Sequence, residues 1–360
     1  MIASKVRNLL PALIMKVALG LLILLTLLLL SSPLATASGE RKPSLEISVR
    51  NAHAMAYDSS RGRVVLFGGA DEVKVCSDTW EWDGKKWRQV SQTGPGPRTF
   101  PAMAYDSLRK KVVLFGGNRV LFGRSPDDNK FLDDTWEWDG QRWLQIQVAG
   151  PPPRAEAAMA FDSQRGRVVL FGGHNRTREG RIRLGDTWEW DGKQWTEVKV
   201  TGPSPRNSPA LVYDSARGKI VLFGGSTQEN VSGETWEWDG QQWIENRAAL
   251  TEGRFNCVMA YDAVRQKVIR FGGRYAGKPV GDTWEYDGKA WKPLSSTGPT
   301  ARNHTAMVYD SKHNKMVLFG GHDFGVHDEV NVFGDTWAWS NGKWVLERVG
   351  KTRKGVDNGH

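Results

Sequence analysis

Six arginines recur along the chain, each at the start of a repeated stretch of sequence. The intervals between them are 48, 56, 52, 48 and 48 residues, and the residues are Arg50, Arg98, Arg154, Arg206, Arg254 and Arg302. A guanidinium group offers a planar set of donors that matches a carboxylate. Brought together, these arginines would bind an acidic ligand. A structural role is the alternative, in which each arginine bonds a neighbouring carboxylate or backbone carbonyl.

The position two residues after each arginine differs from one repeat to the next. It holds Ala52, Phe100, Glu156, Ser208, Asn256 and His304. Residues that vary within a repeated framework are better site candidates than the repeated ones, so we predict that Glu156, Asn256 and His304 contact the ligand. If the protein is an enzyme, Glu156 is the carboxylate that would act as general acid or base. No Ser-His-Asp arrangement, phosphate-binding loop or Cys-His zinc spacing occurs in the sequence.

Each repeat predicts four short β-strands separated by tight turns. In the first repeat, Ala54–Asp58 and Val64–Phe67 are apolar and rich in β-formers. Thr79–Trp82 alternates in period two before the hairpin sequence Asp83-Gly84, and a fourth strand is expected around Trp87–Val90. Four antiparallel strands per copy form one blade of a β-propeller, and a period near fifty is typical of such arrays. The sequence therefore predicts an all-β propeller with six blades.

The tryptophans indicate how the blades pack. All 17 of them occupy three positions of the repeat, represented in the first copy by Trp80, Trp82 and Trp87. The single exception is Tyr286, which stands where the pattern places a tryptophan. Burial of such a ring removes roughly 150–250 Å² of surface from water. We predict that these rings pack neighbouring blades together, rather than form a platform on which sugars stack.

Strand direction sorts the connections between strands onto two faces. The opening arginines, the links between blades and the loops after Phe-Gly-Gly share one face, called here the mouth face. Its loops vary in length, and variable loops on a rigid scaffold are where binding usually occurs. The longest are 118–133, 174–185 and 322–334. Loop 174–185 carries Arg176, Arg178 and Arg181, which we predict to bind the ligand together with the opening arginines.

The concentration of arginine on the mouth face predicts an acidic partner. A channel mouth of low dielectric focuses such a field, so we expect a carboxylate-bearing glycan or an Asp/Glu-rich peptide. No nucleic-acid-binding motif is present, and nucleic acid is not expected as a partner. His322-Asp323 and His327-Asp328 could ligate a metal with His304. Such pairs in a loop are more often solvated, so neither a metal nor another cofactor is expected.

Taken together, the Arg, Tyr-Asp, Phe-Gly-Gly, Asp-Thr-Trp and later Trp motifs resemble the kelch repeat, in the form common in exported bacterial proteins. The resemblance covers residues 50 to about 349. It implies a kelch-type β-propeller, and kelch proteins mostly bind other proteins. In one adaptor family the equivalent arginines bind acidic peptides. This chain departs from the pattern at Glu234 (for Asp), Tyr286 (for Trp), Arg270 (for Leu) and Ser340-Asn341 (for Asp before glycine).

The resemblance leaves two functions open. The leading one is a non-catalytic binding or scaffold propeller that recognises a protein or a glycan. The alternative is a carbohydrate-active enzyme, since a few kelch proteins are enzymes, including galactose oxidase and the sialic acid mutarotases. A copper oxidase is not expected, because the repeated tyrosines lie at strand ends on the face opposite the mouth. A deep pocket that holds Glu156 with two or more arginines would favour the enzyme.

The N-terminal segment 1–37 has the composition of a secretory signal peptide. It contains the basic residues Lys5, Arg7 and Lys16, the apolar run 17–30 and the small residues 35–37. We therefore predict export, with cleavage after Ala37 and a secreted or periplasmic mature protein. An uncleaved membrane anchor is the alternative, and it is the one route by which a membrane is expected to be a partner.

The ends of the repeat region carry further predictions. In the segment 38–49, we expect residues 45–48 to form an extra strand beside the last strand of the sixth repeat and so to close the ring. Residues 350–360 are predicted to be a basic tail. A disulfide between Cys76 and Cys257 is possible but not expected, because they fall in different blades.

Overall fold

The computed structural model describes residues 46–71, 73–120, 131–177, 179–295, 297–324 and 329–356. Within these residues the chain forms six four-stranded antiparallel sheets, three two-stranded sheets and one short 3-10 turn, Arg247–Ala249. Each four-stranded sheet is built from a single repeat. The predicted all-β propeller with six blades and four antiparallel strands per blade is therefore confirmed.

Blades 1 to 3 come from the first three repeats. Blade 1 contains β1 (Ala54–Asp58), β2 (Arg63–Phe67), β3 (Thr79–Trp82) and β4 (Trp87–Ser91). Blade 2 contains β5 (Ala102–Asp106), β6 (Lys111–Phe115), β7 (Thr135–Trp138) and β8 (Trp143–Ile146). Blade 3 contains β9 (Ala158–Asp162), β10 (Arg167–Phe171), the hairpin β11 (His174–Thr177) and β12 (Gly180–Arg183), then β13 (Thr187–Trp190) and β14 (Trp195–Val198).

Blades 4 to 6 repeat this plan. Blade 4 contains β15 (Ala210–Asp214), β16 (Lys219–Phe223), β17 (Thr235–Trp238) and β18 (Trp243–Glu245). Blade 5 contains β19 (Val258–Asp262), β20 (Lys267–Phe271), the hairpin β21 (Arg274–Tyr275) and β22 (Lys278–Pro279), then β23 (Thr283–Tyr286) and β24 (Trp291–Ser295). Blade 6 contains β25 (Ala306–Asp310), β26 (Lys315–Phe319), β27 (Glu329–Phe333), β28 (Thr336–Ser340) and β29 (Lys343–Arg348), and β30 (Thr352–Val356) follows it.

The second strand of each blade is buried on both sides, which explains its largely apolar sequence; Arg270 of blade 5 is the buried exception. In blade 1, Val64, Val65, Leu66 and Phe67 are all 0% exposed. Side chains alternate across a strand, so Val64 and Leu66 pack against blade 6 whereas Val65 and Phe67 pack against blade 2. The hydrophobic core is thus a ring of clusters, one at each interface between blades.

The tryptophans lie in these interfaces, as predicted. The fourth-strand tryptophan of each blade donates its indole N–H to the third-strand threonine of the preceding blade, at 2.8–3.0 Å. The pairs are Trp143–Thr79, Trp195–Thr135, Trp243–Thr187, Trp291–Thr235, Trp344–Thr283 and Trp87–Thr336. Each buried ring contributes roughly 4–6 kcal/mol as an upper bound. Because Trp87 of blade 1 reaches Thr336 of blade 6, the ring closes through the contact used at every other interface.

The two ends of the propeller meet beside blade 6. Residues 46–49 form no strand, so the expected closing strand is absent from its described part, and Leu45 lies outside the described residues. Ile47 instead packs in the core between blades 6 and 1, and the backbone N–H of Arg50 bonds the carbonyl of Phe333 at 3.1 Å. The expected basic tail contains a strand, β30, which pairs with β27.

The predicted signal peptide, 1–37, lies outside the described residues, so its processing and the alternative of a membrane anchor stay predictions. Among the described residues no helix is long and apolar enough to cross a membrane.

Candidate functional site

The six opening arginines are buried and paired within their own blades. The guanidinium of Arg50 is held by Asp78 through Nη1–Oδ1 at 2.8 Å and Nη2–Oδ2 at 3.1 Å. The equivalent pairs are Arg98–Asp134, Arg154–Asp186, Arg206–Glu234, Arg254–Asp282 and Arg302–Asp335. Each carboxylate also accepts the indole N–H of the tryptophan two residues later, at 2.7–3.0 Å. The acidic residue of the Asp-Thr-Trp motif is thus the partner of the opening arginine.

This arrangement favours the structural alternative over the prediction that the opening arginines bind a ligand. Their relative exposure is 0–2%, and five of them also donate to the carbonyl of the first glycine of Gly-Gly in the same blade. A guanidinium whose Nη donors are already bonded inside the fold cannot form a bidentate hydrogen bond with an external carboxylate. The structural alternative therefore accounts for these six residues.

The six varying residues form a belt around the propeller axis. All adopt the left-handed backbone conformation, with φ between 51° and 57°. In five of them the backbone N–H bonds the carbonyl of the equivalent residue in the preceding blade, at 2.8–3.2 Å, namely in Ala52, Phe100, Glu156, Ser208 and Asn256. The belt brings Glu156, Asn256 and His304 together, whereas their contact with a ligand stays a prediction.

A pocket of about 130 Å³ lies at the centre of this belt. Its lining includes all six belt residues, and it also includes a second ring formed by the residue that follows each of them. This second ring is His53, Pro101, Ala157, Pro209, Cys257 and Thr305. The sequence analysis did not identify these six residues, although each one directly follows a varying position of the repeat. Ligand pockets for small molecules usually measure about 300–1,000 Å³, so this one is small.

Glu156 is the acidic residue of the pocket. Its Oε2 accepts hydrogen bonds from Asn207 Nδ2 at 2.5 Å and Ser208 Oγ at 2.7 Å, and it lies 3.5 Å from His174 Nδ1. Burial alone would raise the pKa of Glu156, but the contact and charge of His174, the charge of His304 and the bond from Ser208 together lower it well below its usual range. Glu156 is therefore a buried carboxylate that stays ionised at neutral pH.

His304 lies in blade 6, across the belt from Glu156. Its Nδ1 is 2.7 Å from Nε2 of His322, and the Nδ1 of His322 accepts the backbone N–H of Phe324 at 3.1 Å. His322 therefore carries its hydrogen on Nε2 and donates it to His304. Burial and the charge of Arg274 lower the pKa of His304 to about 4, against the opposing charge of Glu156. Both imidazoles are neutral at pH 7, because burial also holds the pKa of His322 well below its usual value.

His53 lines the pocket from blade 1 and is 6% exposed. Within the described part of the chain, neither of its ring nitrogens makes a hydrogen bond of normal geometry. Burial and the nearby charge of Arg50 lower its pKa to about 3. His53 is thus a neutral imidazole whose two ring nitrogens are both buried.

The arginines of loop 174–185 lie on the β11–β12 hairpin, outside the pocket lining. Arg176 and Arg181 are exposed and are direct cross-strand partners, and Arg178 lies outside the described residues. Arg183 of the same hairpin is used internally, since it donates to Asn207, Ser226 and Gln228. The predicted site residues therefore separate into buried structural arginines, a central pocket and an exposed cationic hairpin.

The described residues contain no group of three or more His, Cys, Asp or Glu side chains that could hold a metal. Asp323, one of the candidate ligands, accepts both the backbone and side-chain N–H groups of Asn331 at 2.6 and 2.7 Å. His327 and Asp328 lie outside the described residues. Cys76 and Cys257 are buried free thiols, so they do not form the disulfide that the sequence left possible.

Comparison with solved structures supports the geometry. A chain from the structure titled "Structure of YjhT" superposes with a TM-score of 0.65 at 14% identity, and the match covers 84% of this chain and 98% of that one. Likeness at this identity shows the fold alone.

Curated relatives match shorter stretches. Two come from Chlamydomonas reinhardtii: the dynein alpha chain of the flagellar outer arm, 36% identical over 96 residues, and dynein regulatory complex subunit 7, 38% identical over 96 residues. Adagio-like protein 3 of Oryza sativa subsp. japonica is 25% identical over 180 residues. The matches cover 26%, 26% and 45% of this chain but only 2%, 8% and 27% of those proteins.

The family comparison covers most of the chain. The KLHDC2/KLHL20/DRC7 Kelch-repeats domain matches three overlapping stretches, residues 34–225, 118–286 and 166–345. The repeats, the six blades and this match together place the chain in the kelch-repeat family.

Proposed function

We propose that this protein is an exported, non-catalytic kelch propeller that binds an acidic segment of a protein partner on its mouth face. The observation that carries the proposal is the pair Arg176 and Arg181. They lie directly opposite each other on β11 and β12, and within the described residues neither forms an ion pair. Like charges directly opposite on paired strands destabilise each other, and a carboxylate between them would remove the repulsion.

Exposed apolar side chains on the mouth face support a protein partner. Ile182, Tyr275 and Phe324, on the mouth-face loops of blades 3, 5 and 6, are 45%, 40% and 43% exposed. Aromatic and arginine side chains dominate the energetics of protein interfaces. The dynein regulatory complex relative is, by its name, a subunit of an assembly, which is compatible with such a role.

The pocket gives little support to the carbohydrate-active alternative. It contains Glu156, but no arginine is among its described lining residues, and its volume of about 130 Å³ is small for a sugar ring. An ionised Glu156 also lacks the proton that a general acid donates. Turnover of acidic sugars that disappears in Glu156→Gln would replace the binding proposal with the enzyme.

The binding proposal is tested with an Asp/Glu-rich peptide in a salt series. We expect affinity to fall as salt rises, and to fall at least tenfold in an Arg176→Ala, Arg178→Ala, Arg181→Ala variant, because the contact is between opposite charges. The matched control is Lys85→Ala, Arg142→Ala, Lys193→Ala, which removes the same charge from exposed turns on the opposite face. Equal losses in both variants, or affinity indifferent to salt, would contradict the proposal. A uronic acid oligosaccharide, as a second arm, distinguishes a glycan from a protein partner.

Export is the second part of the proposal, and it rests on the basic, apolar and small-residue pattern of residues 1–37. N-terminal sequencing of the protein from a secreting host should find Ser38 as the first residue. A chain that begins at Met1 and sediments with membranes would favour the anchor instead.

A further inference from the structure

The central pocket carries one charged lining residue in the described part of the chain. Its polar lining side chains are those of Glu156, Ser208, Asn256, His53, His304 and Thr305, with the Cys257 thiol beside them. The two histidines have pKa values lowered to about 3 and about 4, so both are neutral at pH 7. Glu156 is ionised, and the lining therefore has the opposite sign to the arginine-rich hairpin beside it.

The hydrogen bonds of Glu156 leave one carboxylate oxygen for a ligand. Asn207 and Ser208 both donate to Oε2, and His174 lies nearest the same atom. Within the described residues no hydrogen bond reaches Oε1. Oε1 is therefore the oxygen with which Glu156 can accept a hydrogen bond from a ligand.

A second acceptor and an aromatic ring line the same space. The side chain of Asn256 makes no hydrogen bond within the described residues, and its amide oxygen can accept. The ring of Phe100 also lines the pocket, and aromatic faces attract cations. The lining thus combines one formal negative charge with an amide acceptor and an aromatic ring.

Two nearby arginines make the electrostatic potential at the pocket more positive and so oppose the binding of a cation. Arg183 is close enough to Glu156 for their charges to interact, and Arg274 is close enough to His304. Neither lines the pocket. Arg183 is engaged by Asn207, Ser226 and Gln228, and Arg274 donates to the carbonyl of Gly277. A cation in direct contact with Glu156 outweighs them, because charge interactions weaken with distance and with solvent screening.

We propose that the central pocket is a binding site for a primary ammonium group, such as a lysine side chain, a free N-terminus or a small alkylamine. An ammonium has three donors and no acceptor, which matches the carboxylate of Glu156 and the amide oxygen of Asn256 in the lining. The volume of about 130 Å³ lies below the range of about 300–1,000 Å³ that is usual for small-molecule pockets. It admits the charged end of such a group. This site is separate from the hairpin and does not depend on the acidic partner.

The test uses three probes of matched length: butylammonium chloride, sodium butyrate and 1-butanol. Ligand-detected NMR titrations of the purified propeller at pH 7.5 give the three affinities. We expect butylammonium to bind at least tenfold more tightly than the other two, and to lose at least tenfold in Glu156→Gln. The control is Glu229→Gln, an exposed glutamate of the mouth face, which should bind butylammonium like wild type.

The wild-type comparison decides the matter even if Glu156→Gln fails to fold. Butyrate or butanol that binds as well as butylammonium would overturn the proposal, as would unchanged amine affinity in a folded Glu156→Gln variant. Because the probes are small molecules, neither outcome depends on whether a protein partner binds the Arg176 and Arg181 hairpin.

Discussion

At the scale of single residues, the buried arginine–carboxylate pairs show how a repeated charge can serve the fold alone. Arg154 donates to both oxygens of Asp186 at 2.7 Å and to the carbonyl of Gly172 at 3.0 Å. Asp186 also accepts the indole N–H of Trp188 at 2.7 Å. Burial would raise the pKa of Asp186, but the bond and charge of Arg154 and the bond of Trp188 lower it overall. The ionised pair links the opening of the blade to its third strand.

Removal of one partner from such a pair should be costly. We expect Asp186→Asn to lower the free energy of unfolding by about 3–5 kcal/mol at pH 7, because Arg154 keeps its buried charge without a counter-charge. Denaturant titration measures this. The control Glu197→Gln, at an exposed position of β14, should change stability by less than about 0.5 kcal/mol.

The same variant should alter the response to acid. Since the folded-state pKa of Asp186 is lowered, its stabilising contribution is complete above the unfolded pKa of about 3.9 and is lost as pH falls through the folded value. Wild-type stability should therefore drop below about pH 4, and Asp186→Asn should drop less steeply. Identical slopes in both proteins between pH 5 and pH 2.5 would rule out this role.

At the scale of elements, the interface between blades 6 and 1 differs from the others. Elsewhere a glutamate in the third strand faces the next blade: Trp138 donates to Glu81 at 3.4 Å, Trp190 to Glu137 at 3.3 Å, and Tyr286 to Glu237 at 2.7 Å. In blade 6 this position is Ala338. Trp82, which would be its partner, is 1% exposed and has an indole N–H without a described acceptor. The indoles of Trp238 and Trp339 also lack one, so the missing glutamate, rather than the unpaired indole, sets this interface apart.

The missing carboxylate can be restored. We expect Ala338→Glu combined with His313→Arg, which copies the Arg61–Glu81 pair of blade 1, to stabilise the protein by about 1–2 kcal/mol. Thermal unfolding should then shift upward by a few degrees. Ala338→Gln with the same second substitution supplies a neutral acceptor and should gain less. A lower melting temperature in the Glu variant would mean that tight packing around Ala338 decides this interface.

At the scale of the whole molecule, periodicity made most of the fold predictable. The expected strands Ala54–Asp58 and Thr79–Trp82 match the structure residue for residue, because period-two alternation and Asp-Gly turns are local signals. Ring closure was harder, since the contact of Trp87 with Thr336 joins residues far apart in sequence. β30 was missed because its basic sequence lacks an apolar alternation, and its partner β27 is supplied by a distant loop.

The candidate site was predictable in position but not in chemistry. Variation at the position two residues after each arginine located the belt, yet residue types could not show that Asp134 lies against Arg98 and neutralises it. They also could not reveal the lowered pKa of His304, because burial depends on how all six blades come together. The sequence gives the number of charged side chains. The structure shows which of them are already paired inside the fold and which can still bind a ligand.

The belt of backbone hydrogen bonds has a consequence for how such a protein can change over time. Backbone N–H and carbonyl groups join Ala52, Phe100, Glu156 and their counterparts, so the belt does not need a particular side chain to connect one blade to the next. A substitution in one blade can therefore give the opening a new acid, amide or ring while the backbone bonds stay in place. Only neighbouring side chains in contact, such as Glu156 and Ser208, constrain each other, so one scaffold can acquire many specificities.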